Sequence, residues 1–407
     1  MCFIRIGRQM AGRSETYEFI APCHFGLEAC TKKEIMRLGY EISEVSDGKV
    51  SFKGDAQAIC RSNIFMRTTE RILLKVCEFK AYTWDELFEL VYAVSWEDVI
   101  PWNGRIWVAK AASVKSKLFS PRDFQTIIQK AIVKRLQKAY KREGERLPMD
   151  GADYALRVSA YKDVITIGID TSGESLHKRG YRKLTAKAPI TETLAAALLM
   201  LTPWRNDRIL VDPFCGSGTF CIEAAMMAAN IAPGMERNFA ATRWSNIMDK
   251  TLWYATYDEA RGLKSDDLKQ YGEHTDIQGY DIDPKVLYAA RENAERAGVR
   301  DLIHFQSRDV ALLSHPKKYG LIVTNPPYGE RLEEKEDLPE LYKALGDRYA
   351  ALDDWSMYVI TAWEDAEKYL GRKADKNRKI YNGMMKTYFY SYLGAKPPAL
   401  NKEHLKI

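Results

Sequence analysis

The sequence predicts a mixed α/β protein whose carboxyl-terminal half is built on a mostly parallel sheet. From Pro189 onward, short apolar segments alternate with segments of helical periodicity, which is the order expected of βαβ units. Several of the apolar segments are followed directly by loops rich in glycine, aspartate or proline. Before about residue 171 the predicted strands and helices alternate over shorter stretches of the chain, which favours smaller α+β modules.

Composition fits a soluble globular protein and excludes several other classes. The 407 residues are 46% hydrophobic and 29% charged, and no run approaches the ~20 apolar residues of a membrane span. Met1–Thr16 contains three arginines but no apolar block that could act as a signal peptide. The seven cysteines include no C-x-x-C pair. We therefore expect reduced thiols, a cytoplasmic location, no metal site and no membrane partner.

Positive charge is concentrated in one part of the chain. Residues 105–187 hold 19 Lys and Arg against 8 Asp and Glu, a net charge of +11, whereas the whole chain carries +6. A basic segment of this kind favours a polyanionic partner, although a solvated basic surface has the same composition. Charge alone leaves both interpretations open.

The amino-terminal part predicts alternating short strands and helices. We expect strands at Tyr17–Ala21, Lys49–Phe52 and Ile72–Phe79, and helices at Gly26–Leu38, Asp55–Asn63 and Trp84–Ala93. Thr83 and Glu86 form a capping-box pattern in front of the last of these helices.

A second module is predicted around a long basic helix. Ser120, Pro121 and Asp123 stand at positions that favour the start of a helix. The lysines of this helix lie three or four residues apart and share one face, namely Lys130, Lys134, Lys138 and Lys141. An ordinary solvated face would have the same spacing. Strands at Tyr154–Ala160 and Val164–Asp170 then predict a hairpin that turns at Lys162 and Asp163.

The first chemical motif is the loop Asp212–Thr219 (DPFCGSGT), which follows the strand Ile209–Val211 and opens a helix. Glycines in such a loop let the backbone approach a ligand closely. Cys221 stands where a dinucleotide fingerprint needs its third glycine, and no lysine makes a P-loop. The loop therefore predicts a nucleoside ligand without a pyrophosphate, with these candidate contacts: Asp212, Phe214, Gly216, Gly218 and Thr219.

Two acids at the ends of later strands extend this predicted site. Asp281 can accept hydrogen bonds from both ribose hydroxyls, with Ile282 beside it, whereas Asp283 has the alternative role of capping the helix that begins at Pro284. Asp281 lies far beyond the spacing of a dinucleotide site, so residues from about 232 to 276 are predicted to be a helical insertion. Asp309 is placed to bind an exocyclic amine, or to cap a helix or face solvent.

The sharpest motif is Asn325-Pro326-Pro327-Tyr328, directly after the strand Leu321–Thr324. The prolines fix the backbone, leaving the Asn325 side chain and the Pro326 carbonyl as acceptors. Two fixed acceptors can hold both N–H groups of an exocyclic amine and aim its lone pair at an electrophile. Tyr328 offers a flat face on which a base can stack. These four residues are the predicted catalytic set, and Asn325 also borders the predicted cofactor.

These motifs resemble the S-adenosylmethionine and catalytic motifs of amino-group methyltransferases. With residues 176–182 (LHKRGYR), 188–190 (API), 192–194 (ETL) and 325–332 (NPPYGERL), the chain resembles THUMP-domain RNA methyltransferases, specifically the group that methylates guanine N2 of large-subunit ribosomal RNA. Thr191 departs from the basic residue that this group often has at that position. The resemblance implies a Rossmann-like methyltransferase domain at 171–407, with the insertion at about 232–276. It also implies an N-terminal extension at 1–16, a ferredoxin-like module at 17–70 and an RNA-binding THUMP module at 71–170.

The resemblance thus predicts a transferase that uses S-adenosyl-L-methionine to methylate guanine N2 of 23S ribosomal RNA, free or in a large-subunit assembly intermediate. The predicted RNA contacts are basic residues of the long helix and of the following connector, namely Lys130, Lys134, Lys138, Lys178, Arg179, Arg182 and Lys183. A late basic cluster from Arg372 to Lys379 is a further candidate. The alternatives are a DNA adenine-N6 methyltransferase and a non-catalytic RNA-binding or ribosome assembly factor.

Overall fold

A computed structural model describes residues 16–183, 190–264, 275–329, 336–382 and 385–397. The chain divides into two compact units. The first contains residues up to 23, then 28–178 and 232–262, and the second contains 24–27, 179–231 and the residues from 263 onward. Within the described ranges, no helix is both long and apolar enough to cross a membrane.

One seven-stranded sheet runs through the first unit, in the order β2-β3-β1-β4-β7-β6-β5. All neighbouring strands are antiparallel except β5 and β6, which are parallel. The strands are β1 (Tyr17–Pro22), β2 (Glu41–Ser46), β3 (Lys49–Gly54), β4 (Leu73–Lys80), β5 (Arg105–Val114), β6 (Asp153–Tyr161) and β7 (Val164–Asp170).

Helix boundaries in this unit follow from the caps that the sequence predicts. The helices are α1 (Glu28–Arg37), α2 (Ala56–Phe65), α3 (Trp84–Ala93) and α4 (Pro121–Ala139). The Thr83–Glu86 capping box is present in front of α3, and the Ser120 side chain accepts a hydrogen bond from Asp123 N in front of α4. Both predicted helix starts are confirmed.

Residues 232–262 belong to the first unit although they lie between elements of the second. Trp244 stacks on Tyr154 at 4.9 Å and donates through Nε1 to Asp153 O at 2.9 Å. Glu259, on helix α7 (Lys250–Leu263), receives two hydrogen bonds from Arg61, at 3.0 and 2.6 Å. The predicted insertion is therefore anchored on the α+β unit, while its residues 265–274 lie outside the described ranges.

The second unit contains the parallel sheet that the sequence predicts, in the order β10-β9-β8-β11-β12-β14-β13. The strands are β8 (Leu210–Asp212), β9 (Ile277–Asp281), β10 (Ile303–Ser307), β11 (Leu321–Thr324), β12 (Ser356–Thr361), β13 (Lys376–Asn382) and β14 (Met385–Tyr392). The first five are mutually parallel, and β14 and β13 extend the sheet as an antiparallel hairpin.

Strand order reverses direction at the centre of this sheet. From β8 the chain moves outward through β9 to β10 and then returns to the other side of β8 with β11 and β12. Its helices are α5 (Glu192–Leu201), α6 (Thr219–Ala228), α8 (Pro284–Arg296), α9 (Leu338–Ala350) and the single turn α10 (Ala366–Tyr369). In open α/β sheets ligands bind at such a reversal, beyond the carboxyl ends of the strands.

Candidate active site

The two strands at the reversal point are joined at their carboxyl ends by a side-chain hydrogen bond. Thr324 is the last residue of β11 and Asp212 the last residue of β8. Thr324 Oγ1 donates to Asp212 Oδ1 at 2.6 Å, and both residues are buried. The glycine loop that follows Asp212 and the Asn325 loop that follows Thr324 therefore leave the sheet from neighbouring, fixed points.

The glycine loop turns into helix α6 through two residues in the left-handed region. Gly216 has φ +53° and Gly218 has φ +85°. A Cβ atom at Gly218 would lie 3.1 Å from the Phe305 ring and 3.2 Å from Ala290 Cβ, so the position has little room for a side chain. Phe214 N donates to Asp212 Oδ1 at 3.2 Å, which holds the start of the loop. Thr219, the first residue of α6, is buried.

The predicted ribose acid lies against this loop. Asp281 ends β9, and its Oδ2 accepts a hydrogen bond from Gly216 N at 3.1 Å. Its Oδ1 accepts from Asp283 N at 3.0 Å. Asp283 itself accepts from Lys285 N at 2.8 Å, so its predicted capping role in front of α8 is confirmed. Asp281 and the glycine loop form one continuous polar edge.

Two apolar side chains in the loops after β9 and β10 are exposed. Ile282, which follows Asp281, is 69% exposed, and Leu312, five residues after the end of β10, is 65% exposed. Asp309, two residues after β10, is exposed and accepts a hydrogen bond from Ala311 N at 2.8 Å. Asp309 therefore caps the short 3₁₀ turn that carries Leu312, as one of its predicted alternatives required. Such apolar exposure next to a polar edge suits a flat heteroaromatic ligand.

A side chain of helix α9 holds the loop that begins at Asn325. Tyr342 Oη contacts Pro327 O at 3.1 Å and Thr361 Oγ1 at 2.7 Å. Asn325 and Tyr328 are half-buried, Pro326 is buried and Pro327 is exposed. Tyr342 is fully buried and packs edge-on against Trp363 at 4.6 Å. Sequence analysis missed Tyr342, because nothing near it in the chain marks its contact with a loop fifteen residues earlier.

Burial controls the ionisation of the acids at this edge. Desolvation raises the pKa of Asp212 to about 7, although the hydrogen bonds from Thr324 and Phe214 N act in the opposite direction. Burial also raises the pKa of Asp281. Burial raises the pKa of the Cys215 and Cys221 thiols well above their usual value. Both thiols therefore remain protonated at neutral pH and act as packing residues rather than nucleophiles.

Two of the RNA contacts predicted in the basic connector, which follows β7 and contains Lys178, Arg179, Arg182 and Lys183, need correction. Arg179 is only 3% exposed, and its guanidinium pairs with buried Glu223 at 3.3 Å, so the prediction that Arg179 contacts RNA is wrong. Arg182 is also turned inward. Its guanidinium pairs with Glu192 at 3.0 Å and donates to Thr219 Oγ1 at 2.8 Å. A buried cation needs such partners, so both arginines stabilise the second unit from within.

The other predicted RNA contacts lie at the surface. Lys130, Lys134 and Lys138 are exposed along α4, and Lys183 is exposed in the connector. The Nζ atoms of Lys134 and Lys138 lie 5.6 and 5.9 Å from the rings of Phe88 and Tyr92, respectively. Lys178 pairs with Glu174 at 3.0 Å on the surface. The predicted stripe on α4 therefore exists as an exposed basic surface.

Comparison with protein families finds three matches along the chain. Residues 18–73 match the model described as "RlmL ferredoxin-like domain", and residues 81–170 match the THUMP domain. Residues 179–390 match the model described as "RMKL-like, methyltransferase domain". The chain belongs to the RMKL-like methyltransferase family. The expected fold class, a Rossmann-like methyltransferase domain preceded by ferredoxin-like and THUMP modules, is confirmed.

Individual relatives of this RMKL-like methyltransferase align along almost its whole length. It is 46% identical over 386 residues to the protein named "Putative RNA methyltransferase YpsC" of Bacillus subtilis, covering 95% of this chain and 98% of that one. The structure described as "Crystal structure of SMU.472, a putative methyltransferase complexed with SAH" is 41% identical with a TM-score of 0.87, covering 94% of this chain and 99% of that one. A structure described as a "predicted N6-adenine-specific DNA methylase" from Listeria monocytogenes is 45% identical with a TM-score of 0.86, covering 93% and 97%.

Among the described residues, no cluster of His, Cys, Asp and Glu has the arrangement of a metal site. Residues 330–335, which complete the NPPYGERL motif, and residues 184–189, which include Ala188 and Pro189, lie outside the described ranges.

Proposed function

We propose that this chain is an S-adenosylmethionine-dependent RNA methyltransferase that modifies a base exocyclic amine, guanine N2 of 23S ribosomal RNA. The observation that carries the proposal is the hydrogen bond between Thr324 and Asp212. It puts a glycine loop suited to a nucleoside and an Asn-Pro-Pro-Tyr loop suited to an amine on adjacent strand ends. Membership in the methyltransferase family supports the reaction type.

The residues on the β8 side fit the cofactor. Asp281 has acceptor oxygens at the polar edge, and the exposed side chain of Ile282, the next residue, would pack on an adenine ring. Gly216 and Gly218 leave the backbone open for close approach. When bound, S-adenosylmethionine supplies an electrophilic methyl group. A related protein crystallised with the demethylated product supports this assignment.

The residues that follow β11 fit the exocyclic amine of the target base. Asn325 Oδ1 and Pro326 O would accept one N–H each, which aims the amine lone pair at the methyl carbon. The Tyr342 hydroxyl holds Pro327 and so fixes the position of both acceptors. Tyr328 offers its ring to a base that has left its stack. As the N–C bond forms, the bond between the methyl carbon and sulfur would break and S-adenosylhomocysteine would leave. The methylated amine would then give up one proton to water, so the site needs no strong base.

An RNA substrate is supported by the modules that precede the catalytic domain. The chain carries a THUMP domain, and the name of its Bacillus subtilis relative describes an RNA methyltransferase. The exposed lysines Lys130, Lys134 and Lys138 would contact phosphates. The choice of guanine N2 in the large-subunit RNA as the target is the more specific part of the proposal. It rests on the motif resemblance and on the match to the RlmL ferredoxin-like domain.

A second candidate is methylation of adenine N6 in DNA. The acceptor geometry of Asn325 and Pro326 suits any conjugated amine, and the description of the Listeria monocytogenes structure names this activity. We favour RNA because of the THUMP domain.

The test uses the full-length protein with methyl-labelled S-adenosylmethionine. It is incubated separately with unmodified 23S ribosomal RNA transcribed in vitro and with unmethylated DNA, and each labelled product is digested to nucleosides. The proposal predicts label in N2-methylguanosine from RNA. Label in N6-methyladenine from DNA alone would establish the second candidate, and label in neither would leave a binding protein that does not turn over.

A further inference from the structure

The hairpin β13–β14 carries alternating lysines and tyrosines on one face of the second sheet. Lys379 lies opposite Tyr388, and Tyr381 lies opposite Lys386. Directly opposed residues of an antiparallel pair point to the same side, and so do residues two apart in one strand. These four side chains therefore share a surface, which we call the hairpin face.

Each lysine of the hairpin face lies over a tyrosine ring. Lys379 Nζ is 5.1 Å from the centroid of Tyr381, and Lys386 Nζ is 4.8 Å from the centroid of Tyr388. Both lysines are exposed and both tyrosines are half-buried. Phe25, which is 47% exposed, meets Tyr381 edge-on at 6.3 Å and widens the aromatic surface.

Charge on the hairpin face is only partly balanced. A hydrogen bond to Tyr388 raises the pKa of Lys386, and the nearby carboxylate of Glu364 acts in the same direction. Lys386 therefore carries full charge at neutral pH. The face combines aromatic rings with exposed cations, which is how proteins hold single-stranded nucleic acid.

Contacts link the hairpin face to the catalytic loop. Tyr388 pairs in register with Thr361, the last residue of β12. The Thr361 hydroxyl lies 2.7 Å from Tyr342 Oη, which in turn contacts Pro327 O at 3.1 Å. The hairpin face is thus connected by three successive contacts to the loop that would hold the target amine.

The late basic cluster from Arg372 to Lys379 does not act as one surface. Arg372 pairs with Asp375 at 2.9 Å, and Arg378 donates to Gly26 O at 2.8 Å. Lys376 and Arg378 point to the side of the sheet opposite to Lys379, because they alternate with it along β13. Only Lys379 from this cluster belongs to the hairpin face.

We propose that the hairpin face binds the unpaired nucleotides next to the target base: Lys379 and Lys386 move from the tyrosine rings onto phosphates, and bases stack on the ring faces of Tyr381 and Tyr388 that the lysines vacate. This proposal rests on the proposed function, since it takes RNA as the substrate. It adds a second RNA-binding surface, located on the catalytic unit and distinct from the stripe on α4. It also explains why lysines sit over rings at the site's border, where a flipped base needs its neighbours held.

The test measures RNA binding separately from methyl transfer. The full-length protein, saturated with S-adenosylhomocysteine, is titrated into a fluorescent single-stranded RNA of mixed sequence at several salt concentrations. The double variant K379Q/K386Q is compared with the matched control K373Q/K376Q, which removes the same charge from exposed lysines outside the face. We expect at least a fivefold higher Kd for K379Q/K386Q, and a salt slope smaller by ~1.4, because two phosphates of the single strand are no longer neutralised.

The control is expected to change Kd less than twofold. Tyr381→Ala is expected to weaken binding, whereas Tyr381→Phe should retain it because the ring remains. Unchanged affinity for S-adenosylhomocysteine would show that each variant is folded. Equal Kd values for K379Q/K386Q and the parent, or an equal loss in the control, would overturn the proposal. Methyl transfer by the parent is scored independently, so failure of the proposed function is distinguishable from failure of the hairpin face.

Discussion

Thr324 and Asp212, the last residues of two adjacent parallel strands, are joined by a buried hydrogen bond of 2.6 Å between Oγ1 and Oδ1. The two residues lie 112 positions apart in the chain. Each is followed at once by a loop that the proposed reaction needs. The contact therefore sets the distance between the cofactor side and the amine side of the site.

Asp212 predicts a distinctive dependence of stability on pH. Its pKa is about 7 in the folded protein because of burial, whereas an unfolded aspartate titrates near ~3.9. Between these values the folded state binds more protons than the unfolded state, so stability falls as pH rises. Asp212→Asn retains an oxygen acceptor for Thr324 and has no proton to lose.

We expect the free energy of unfolding of the parent, relative to Asp212→Asn, to fall by about 2 kcal/mol between pH 5 and pH 7. Urea unfolding of both proteins at several pH values measures this difference. A difference that stays constant across the range would mean that Asp212 is ionised throughout.

Asp281 is expected to contribute directly to cofactor affinity. Its carboxylate lies 3.1 Å from Gly216 N at the polar edge of the site. Replacing Asp281 by Ala should weaken S-adenosylmethionine binding by about 1.5–3 kcal/mol, the range for hydrogen bonds to a charged group. Asp283→Ala, which removes only a helix cap, is the control, and calorimetry measures both. An Asp281 variant that binds as tightly as the parent would exclude this residue from the cofactor site.

Removing the Tyr342 hydroxyl is expected to lower the rate by changing the position of the Asn325 loop. Tyr342→Phe removes the hydroxyl that contacts Pro327 O and so loosens the Asn325 loop. We expect kcat to fall roughly three- to tenfold, corresponding to about one neutral hydrogen bond, with little change in cofactor affinity. Tyr349→Phe on the same helix removes a buried hydrogen bond to Trp355 O and serves as control. If both variants show the same decrease in rate, the effect is one of general stability.

The stripe on α4 predicts a salt-dependent part of RNA affinity. Changing Lys130, Lys134 and Lys138 together to Gln should reduce the slope of log affinity against log salt by about 0.7–0.9 for each phosphate that these lysines neutralise. The control replaces three exposed lysines of the ferredoxin-like module, Lys32, Lys33 and Lys53. An unchanged slope in the α4 variant would identify the stripe as an ordinary solvated helix face.

Local chemistry made much of the fold predictable. The Thr83–Glu86 capping box marks the start of α3, and the turn at Lys162 and Asp163 is present, with both residues at positive φ. Strand β2 escaped prediction because four of its six residues are exposed and its apolar alternation is weak. Strand β5 escaped because it lies at the sheet edge and its burial pattern is irregular after Val108.

The residues of the candidate site likewise fall into those that the sequence predicts and those that only the structure reveals. The residues proposed for the cofactor and the amine lie at strand ends, so Asp212, Asp281 and Asn325 could be found from strand-end motifs. The residues that hold them, such as Tyr342, act through contacts between distant parts of the chain. Arg179 shows the converse error, since a positive charge in a basic segment says nothing about burial until its partner Glu223 is known.

The central claim is that Asn325 accepts a hydrogen bond from the amine that receives the methyl group. The contact gains most as the nitrogen becomes tetrahedral, so Asn325→Ala should lose rate far more than affinity. Asn325→Asp retains an acceptor and should keep part of the activity. Neither change is expected to alter S-adenosylmethionine affinity by much.

The most direct measurement is single-turnover methyl transfer to 23S ribosomal RNA by the parent, Asn325→Ala and Asn325→Asp, with RNA and cofactor affinities determined in parallel. We expect a rate at least about a hundredfold lower for Asn325→Ala, of the order seen when one transition-state hydrogen bond is removed, at nearly unchanged affinities. Asn325→Asp should fall between this variant and the parent. Transfer by Asn325→Ala at the parental rate would contradict the account.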